Sequence, residues 1–494
     1  MRSIDRREFL KQSANATIRV GLASALASPV LRPAAHAAAA FAAIDDLRQQ
    51  IGSEGTVLPP SHPQFGVYQA GFNRRIQAPA PLAIVRCLSA DAVAKAVLWA
   101  RQHRTAVRVR SGGHSYEGFS QGPGVVIDTR PMNQVEVDAQ NGTATVGAGA
   151  TLGDVYQTLS RHGLTIPAGT CPTVGVAGLA LGGGYGFLSR KLGLTCDQLL
   201  SLRLVTAEGR TLDVSAGENS DLFWACRGAG GGGFGVVTHL HFLLHPIDQV
   251  TTFSLRWSPS QAHGAVQAFQ DWAPGVTDEL TSNLTLTATP AGVQRVEISG
   301  QFVGPATHLP RLLRPLFALG VPERQTITTQ SFMDAVRQFA GHGTPQPEFF
   351  KAKSDFLTQP LTSTGIQVLL RSLPAVPGGV VVSFDPYGGA INRVPGDATA
   401  FCHRAPTLAC IQYYSAWQTP AATAQRLRGM RALYAAMRPY TSGGAYFNYC
   451  DLDLKNWQEA YWGGNFARLT RIKRAYDPEN VFNHPQSIPV GGPP

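Results

Sequence analysis

The chain has 494 residues, 44% hydrophobic and 15% charged, enough apolar material to bury a large core and too much for a disordered or fibrous protein. Its formal charge of +10 is scattered rather than striped, part of it falls in the first 37 residues, and no nucleic-acid motif accompanies it, which argues against nucleic acid as a partner. The seven Cys show no CxxC spacing and no His/Cys cluster, so no metal site is expected, while 52 Gly and 34 Pro without a short period predict a loop-rich α+β enzyme.

The N-terminus reads Asp5-Arg6-Arg7-Glu8-Phe9-Leu10-Lys11, then a weakly apolar stretch over 18–31, then Ala35-His36-Ala37, a small-residue cleavage pattern. That order resembles a bacterial twin-arginine signal over 1–37 and predicts passage through the twin-arginine translocation machinery to a periplasmic or secreted location. An ordinary amphipathic helix is the plainer alternative. The route carries proteins already folded, which suits a cofactor loaded before export. No other segment approaches about 18 uninterrupted apolar residues, so no membrane span is expected. Exported proteins can form disulfides, but spacing alone assigns no pairs, and Cys196 in LTCDQLL reads as a buried thiol.

From 41 to 245, short β-branched runs alternate with helical periodicity: strands are expected over Val107–Arg110, 124–128 and Thr143–Gly147, and helices over Ala90–Gln102 and 152–162. From 246 to 444 the strands lengthen, as at 296–302 and 380–384, and a helix is expected over 424–437. This predicts a second domain on an antiparallel sheet. The last segment, 445–494, returns to aromatic and glycine-rich text like that of the first domain.

Three glycine-dense stretches could turn backbone N–H groups toward a phosphate: RVRSGGHSYEG at 108–118, CPTVGVAGLALGGGYG at 171–186 and RGAGGGGFGVV at 227–237. The third contains GxGxxG at Gly228, Gly230 and Gly233, yet it follows a helical pattern and precedes a strand pattern. A dinucleotide fingerprint needs the reverse order, so a Rossmann fold is excluded.

These stretches, with DLFWACRGAGGGGFGVVT and the terminal YFNYCDLDL and YWGGNFARLTRIKRAYDPENVFNHPQSIP, resemble the berberine bridge enzyme-like group of the vanillyl-alcohol oxidase superfamily over nearly the whole chain after the signal. The resemblance implies a PCMH-type FAD-binding domain of two α+β subdomains, 41–245, a substrate domain, 246–444, whose antiparallel sheet is covered by helices, and a closing segment, 445–494, returning to the FAD domain. It also implies FAD held by two bonds, from His114 in GGHS to the 8α-methyl carbon and from Cys171 to ring position six. Imidazole and thiolate can both add to an electron-poor ring, and the attachment needs no metal. Arg110, Ser111, Gly112, Gly113, Ser115, Val174, Gly175, Gly178, Val237 and Asn448 are the accompanying cofactor contacts. In the third loop Ala229 and Gly233 depart from the residues common among relatives.

Oxidising a C–OH needs a base for the hydroxyl proton while hydride passes to the flavin. By the resemblance Tyr449 is that base; its ordinary pKa near 10 calls for nearby cations or donors. If the segment around it is extended, Asp451 and Asp453 share its face. Asp385 is the second catalytic candidate, with Tyr185 and Tyr116 shaping the site. Val174 stands at the family's proposed oxygen gate, where Val admits oxygen and Leu or Ile obstructs it. The expected function is an exported oxidase of a sugar-like alcohol that releases hydrogen peroxide. A secondary-metabolite tailoring oxidase and a flavin-carrying binding protein with little turnover are the alternatives.

Overall fold

The computed structural model describes residues 43–341 and 345–491, so the twin-arginine segment lies outside the described residues. The chain divides after Asp46, and the unit Leu47–Pro494 carries the sheets and the glycine loops.

Three sheets organise that unit. The first has four strands in the order Gly55–Leu58, Ala83–Cys87, Val125–Asp128, Val107–Arg110, the last three mutually parallel. Parallel neighbours need a crossover, and Ala90–Gln102 supplies it. Its start is set by Ser89, whose hydroxyl accepts from the Ala92 N–H, and Val93, Val97 and Trp99 put its apolar stripe in the core. The second sheet is antiparallel, Val135–Asp138, Thr143–Gly147, Val236–Leu243, Leu199–Val205, Thr211–Ser215. Helix Leu152–Ser160, opened by the reciprocal Thr151–Asp154 capping box, stops two residues short of the expected 162 because the chain turns through Gly163 at φ +66°.

The third sheet has seven antiparallel strands in the order Arg324–Ser331, Gln249–Trp257, Gly292–Phe302, Leu280–Thr289, Val380–Pro386, Ala409–Trp417, Phe349–Leu357. Its two faces differ because side chains alternate along a strand. Leu284, Ile298, Phe384 and Ile411 are fully buried in one core with residues of the helices Ala262–Trp272, Ser363–Ser372 and Thr423–Met437. Burying each such side chain contributes about 1.5–3 kcal/mol. On the other face the register aligns Ser299, Asn283, Asp385 and Cys410 in one row and Glu297, Thr285, Ser383 and Gln412 in the next, a polar and largely half-buried surface.

A second core joins the middle sheet to the C-terminal segment, where Ala445, Tyr446, Trp462 and Leu469 pack with Val146, Leu181 and Leu240. The terminal stretch is thereby seated among the glycine loops. Among the described residues no helix is long and apolar enough to cross a membrane, and all seven Cys are free thiols, Cys196 fully buried.

Candidate active site

The first two glycine loops meet backbone to backbone. A Cβ on Gly112 would lie 2.3 Å from the Gly175 nitrogen, and one on Gly175 would lie 2.3 Å from the Gly112 nitrogen, so no larger residue permits this approach. The contact brings His114 beside the Cys171–Val174 turn. The His114 Nε2 lies 3.0 Å from the Thr173 hydroxyl, and the Cys171 Sγ lies 3.5 Å from that same hydroxyl. Phe72 stacks on the imidazole at 4.1 Å. Burial pulls His114 down to about 4, only partly offset by a hydrogen bond to the Thr173 backbone, so the ring is neutral at physiological pH.

A cleft runs past these loops, lined by Ser111, Gly112, Gly113, His114, Ser115 and Tyr116 of the first, Val174, Gly175 and Gly178 of the second, Val237 at the end of the third, and Asn448 and Tyr449 of the terminal segment. Its walls suit FAD. A Cβ on Gly178 would meet no atom within 4 Å and one on Gly231 nothing closer than 3.7 Å, so both positions leave open space where a cofactor can approach the backbone. Among the described residues no carboxylate lines the cleft, so a diphosphate would meet no negative charge from them there. The departures at Ala229 and Gly233 do not close the third loop, since Gly233 also has nothing within 4 Å of its Cβ position.

Arg110, expected as a cofactor contact, is placed otherwise. Its buried guanidinium donates to the carbonyls of Tyr68, Gln69 and Ser120 and does not line the cleft. This corrects the expectation of a direct contact: Nε, Nη1 and Nη2 all donate to backbone carbonyls, which holds the buried fork away from the cleft, and Arg110 props up the loop instead.

The predicted catalytic groups converge at one end of the cleft. Tyr116 and Tyr449 stack at 5.6 Å with their planes 12° apart, and Gln412 of the large sheet donates to the Tyr116 hydroxyl at 3.0 Å. Asp385 lies near the end of strand Val380–Pro386 and accepts from the Asn283 side chain. Burial raises Asp385 to about 7, partly offset by the hydrogen bond it accepts from Tyr449. Tyr449 is held well above the usual phenol range by burial and then by Asp385, Tyr116, Cys410 and Tyr446, so the expected cation beside it is replaced by an acid. Tyr185 is one step removed: its hydroxyl donates to the Pro386 carbonyl at 3.3 Å and its ring stacks on Tyr387.

The terminal segment is not extended. Phe447–Tyr449 is a single 3-10 turn, so Tyr449 enters the cleft while Asp451 and Asp453 point elsewhere. Asp451 is buried against Lys351 Nζ at 2.5 Å and Lys353 Nζ at 2.5 Å; Lys351 also pairs with Glu117, which Arg75 holds at 2.7 Å. Burial alone would lower Lys351, but Asp451 and Glu117 keep it above the ordinary lysine range. This buried ion cluster ties the first glycine loop, the large sheet and the Tyr449 turn together. Sequence reasoning missed it, as it missed Thr173, Asn283 and Gln412. Thr173 was in view inside CPTVG; the others become partners only through strand register.

Comparison with known proteins places these features in company. The FAD binding domain family matches residues 81–215 and the Berberine and berberine like family residues 445–489. An uncharacterised FAD-linked oxidoreductase of Bacillus subtilis, YgaK, is 38% identical over 88% of this chain and 97% of its own. The monolignol oxidoreductase AtBBE-like 13 of Arabidopsis thaliana is 34% identical over 83% of this chain and 84% of its own. Among solved structures, BBE-like 1 of Physcomitrella patens superposes with a TM-score of 0.83 at 32% identity, and the grass pollen allergen Phl p 4, which has glucose dehydrogenase activity, with 0.83 at 30%; each comparison covers 90% of this chain and 99% of the other.

Proposed function

The chain belongs to the berberine bridge enzyme-like FAD-linked oxidoreductases, and we propose that it holds FAD through bonds from His114 and Cys171 and, after export, oxidises a hydroxyl of a carbohydrate or similarly hydroxylated substrate. When bound, FAD supplies the two-electron acceptor, cleared by dioxygen with release of hydrogen peroxide. One observation carries the reading: the Asp385–Tyr449 pair stands where the cleft meets the polar face of the large sheet.

The chain's own groups divide the work. Asp385, balanced near neutrality, is the proton acceptor, and the Tyr449 hydroxyl between it and the cleft passes the substrate proton to it. Asn283 orients the carboxyl, and Gln412 with the Tyr449 ring positions Tyr116. Thr285, Ser299, Ser383 and Gln412 offer donors and acceptors without a fixed charge, which suits a substrate carrying several hydroxyls. Val174 on the cleft wall supports dioxygen as acceptor. For Phl p 4, a variant with one isoleucine changed to valine is described as a glucose oxidase and the wild type as a glucose dehydrogenase. An aromatic alcohol is the second reading, favoured by the Tyr116, Phe350 and Tyr414 rings packed at 4.9 and 5.1 Å beside the pair.

Two measurements on the purified protein test this. Peroxide release on a panel of mono- and oligosaccharides is expected, and silence on every sugar would remove the carbohydrate reading. Acid precipitation is expected to carry the flavin into the pellet; flavin in the supernatant would sink the covalent assignment.

A further inference from the structure

We propose that the Thr173 hydroxyl is the shared positioning group that readies both His114 and Cys171 for bond formation with the flavin, an inference that rests on the two-bond reading of the site. Its oxygen is 3.0 Å from one nucleophile and 3.5 Å from the other, although the two come from loops 57 positions apart in the chain.

Thr173 is itself held firmly. The Val174 N–H donates to the Cys171 carbonyl at 3.3 Å across the turn, while Gly153 and Leu152 donate to the carbonyls of Pro172 and Val174, each at 2.9 Å. Three backbone bonds around one residue leave its side chain little freedom to leave the gap between the anchors. On the far side, Phe72 covers the face of the imidazole.

The hydrogen-bond inventory then orders the protons. His114 bonds to the Thr173 backbone as well as to its hydroxyl, and a carbonyl only accepts, so in this proposal the ring nitrogen facing Thr173, Nε2, carries the hydrogen. The opposite nitrogen, Nδ1, keeps a free lone pair. The Thr173 hydroxyl, accepting from Nε2–H, has its own hydrogen left to donate to the Cys171 sulfur, which fixes where that sulfur points. One hydroxyl thus selects the nucleophilic tautomer at the first anchor and orients the sulfur at the second.

Both attachments are oxidations. At His114 an N–C bond replaces the imidazole N–H and one methyl C–H of the flavin. At Cys171 an S–C bond replaces the S–H and one ring C–H. In each case two electrons and two protons pass to dioxygen, the same acceptor that clears the flavin in turnover, as one hydrogen peroxide. The proton that must leave Nε2 departs along its bond to Thr173.

The test compares Thr173→Val, which keeps the shape and removes the hydroxyl, with Thr173→Ser, which keeps the hydroxyl. Flavin retained in the acid pellet is measured for each in the otherwise native chain, then in Cys171→Ala and His114→Ala backgrounds to read each bond alone. Thr173→Val is expected to cut retention about tenfold in both backgrounds, the worth of one hydrogen bond, while Thr173→Ser restores it. Full retention by Thr173→Val, with retention by the native chain, would overturn this proposal and leave the two-bond reading standing. Release by the native chain would overturn both. If Thr173→Val takes up no FAD, Thr173→Ser decides: retention at the native level supports the hydroxyl's role, and a loss equal to that of Val overturns it.

Discussion

At the scale of single residues, the decisive value is that of Asp385. A carboxyl raised to about 7 is protonated below that pH and cannot accept a proton, so kcat/KM is expected to rise through about pH 7, falling about tenfold per unit below it. Asp385→Asn should abolish that limb and lower kcat at least about 100-fold, which pH profiles of the two proteins would check. At Val174, replacement by Ile should slow reoxidation by dioxygen while leaving reduction of an artificial dye acceptor unchanged; stopped-flow traces with each acceptor separate the two. His114, Cys171 and Val174 could be named from the sequence because each sits inside a long motif whose chemistry is local. The acid paired with Tyr449 was legible only as a candidate, since the strand pattern around Asp385 does not say which side chain its register brings against it.

At the scale of elements, periodicity served well where a segment's partner is water on one side and core on the other. Ala90–Gln102, Val107–Arg110 and Thr143–Gly147 run as read, because the cap at Ser89 and the β-branched alternation are properties of the segment itself. It failed at Phe447–Tyr449, where packing between the glycine loops and the large sheet imposes a turn. That turn is held by the buried cluster of Lys351, Glu117 and Asp451. Removing one member of a buried ion group strands its partners, so Lys351→Met should lower unfolding free energy by about 3 kcal/mol. Denaturant unfolding of the holoprotein would show it, and loss of turnover beyond the loss of folded protein would show that Tyr449 has moved.

At the scale of the whole molecule, the proposed export depends on the full chain. Replacing Arg6 and Arg7 together by Lys should retain the folded, flavin-loaded protein inside the cell, as fractionation followed by the peroxide assay would reveal. The sequence by itself determined the class of protein, its FAD requirement, the two candidate anchors and the order of glycine loops, because these depend on residue types at short fixed spacings. Only the tertiary structure decided that Arg110 serves the loop and not the cofactor, that Asp385 meets Tyr449, and that Thr173 stands between His114 and Cys171. Those are contacts between segments that, in most cases, lie tens to hundreds of residues apart, set by strand register and burial, which no local pattern encodes.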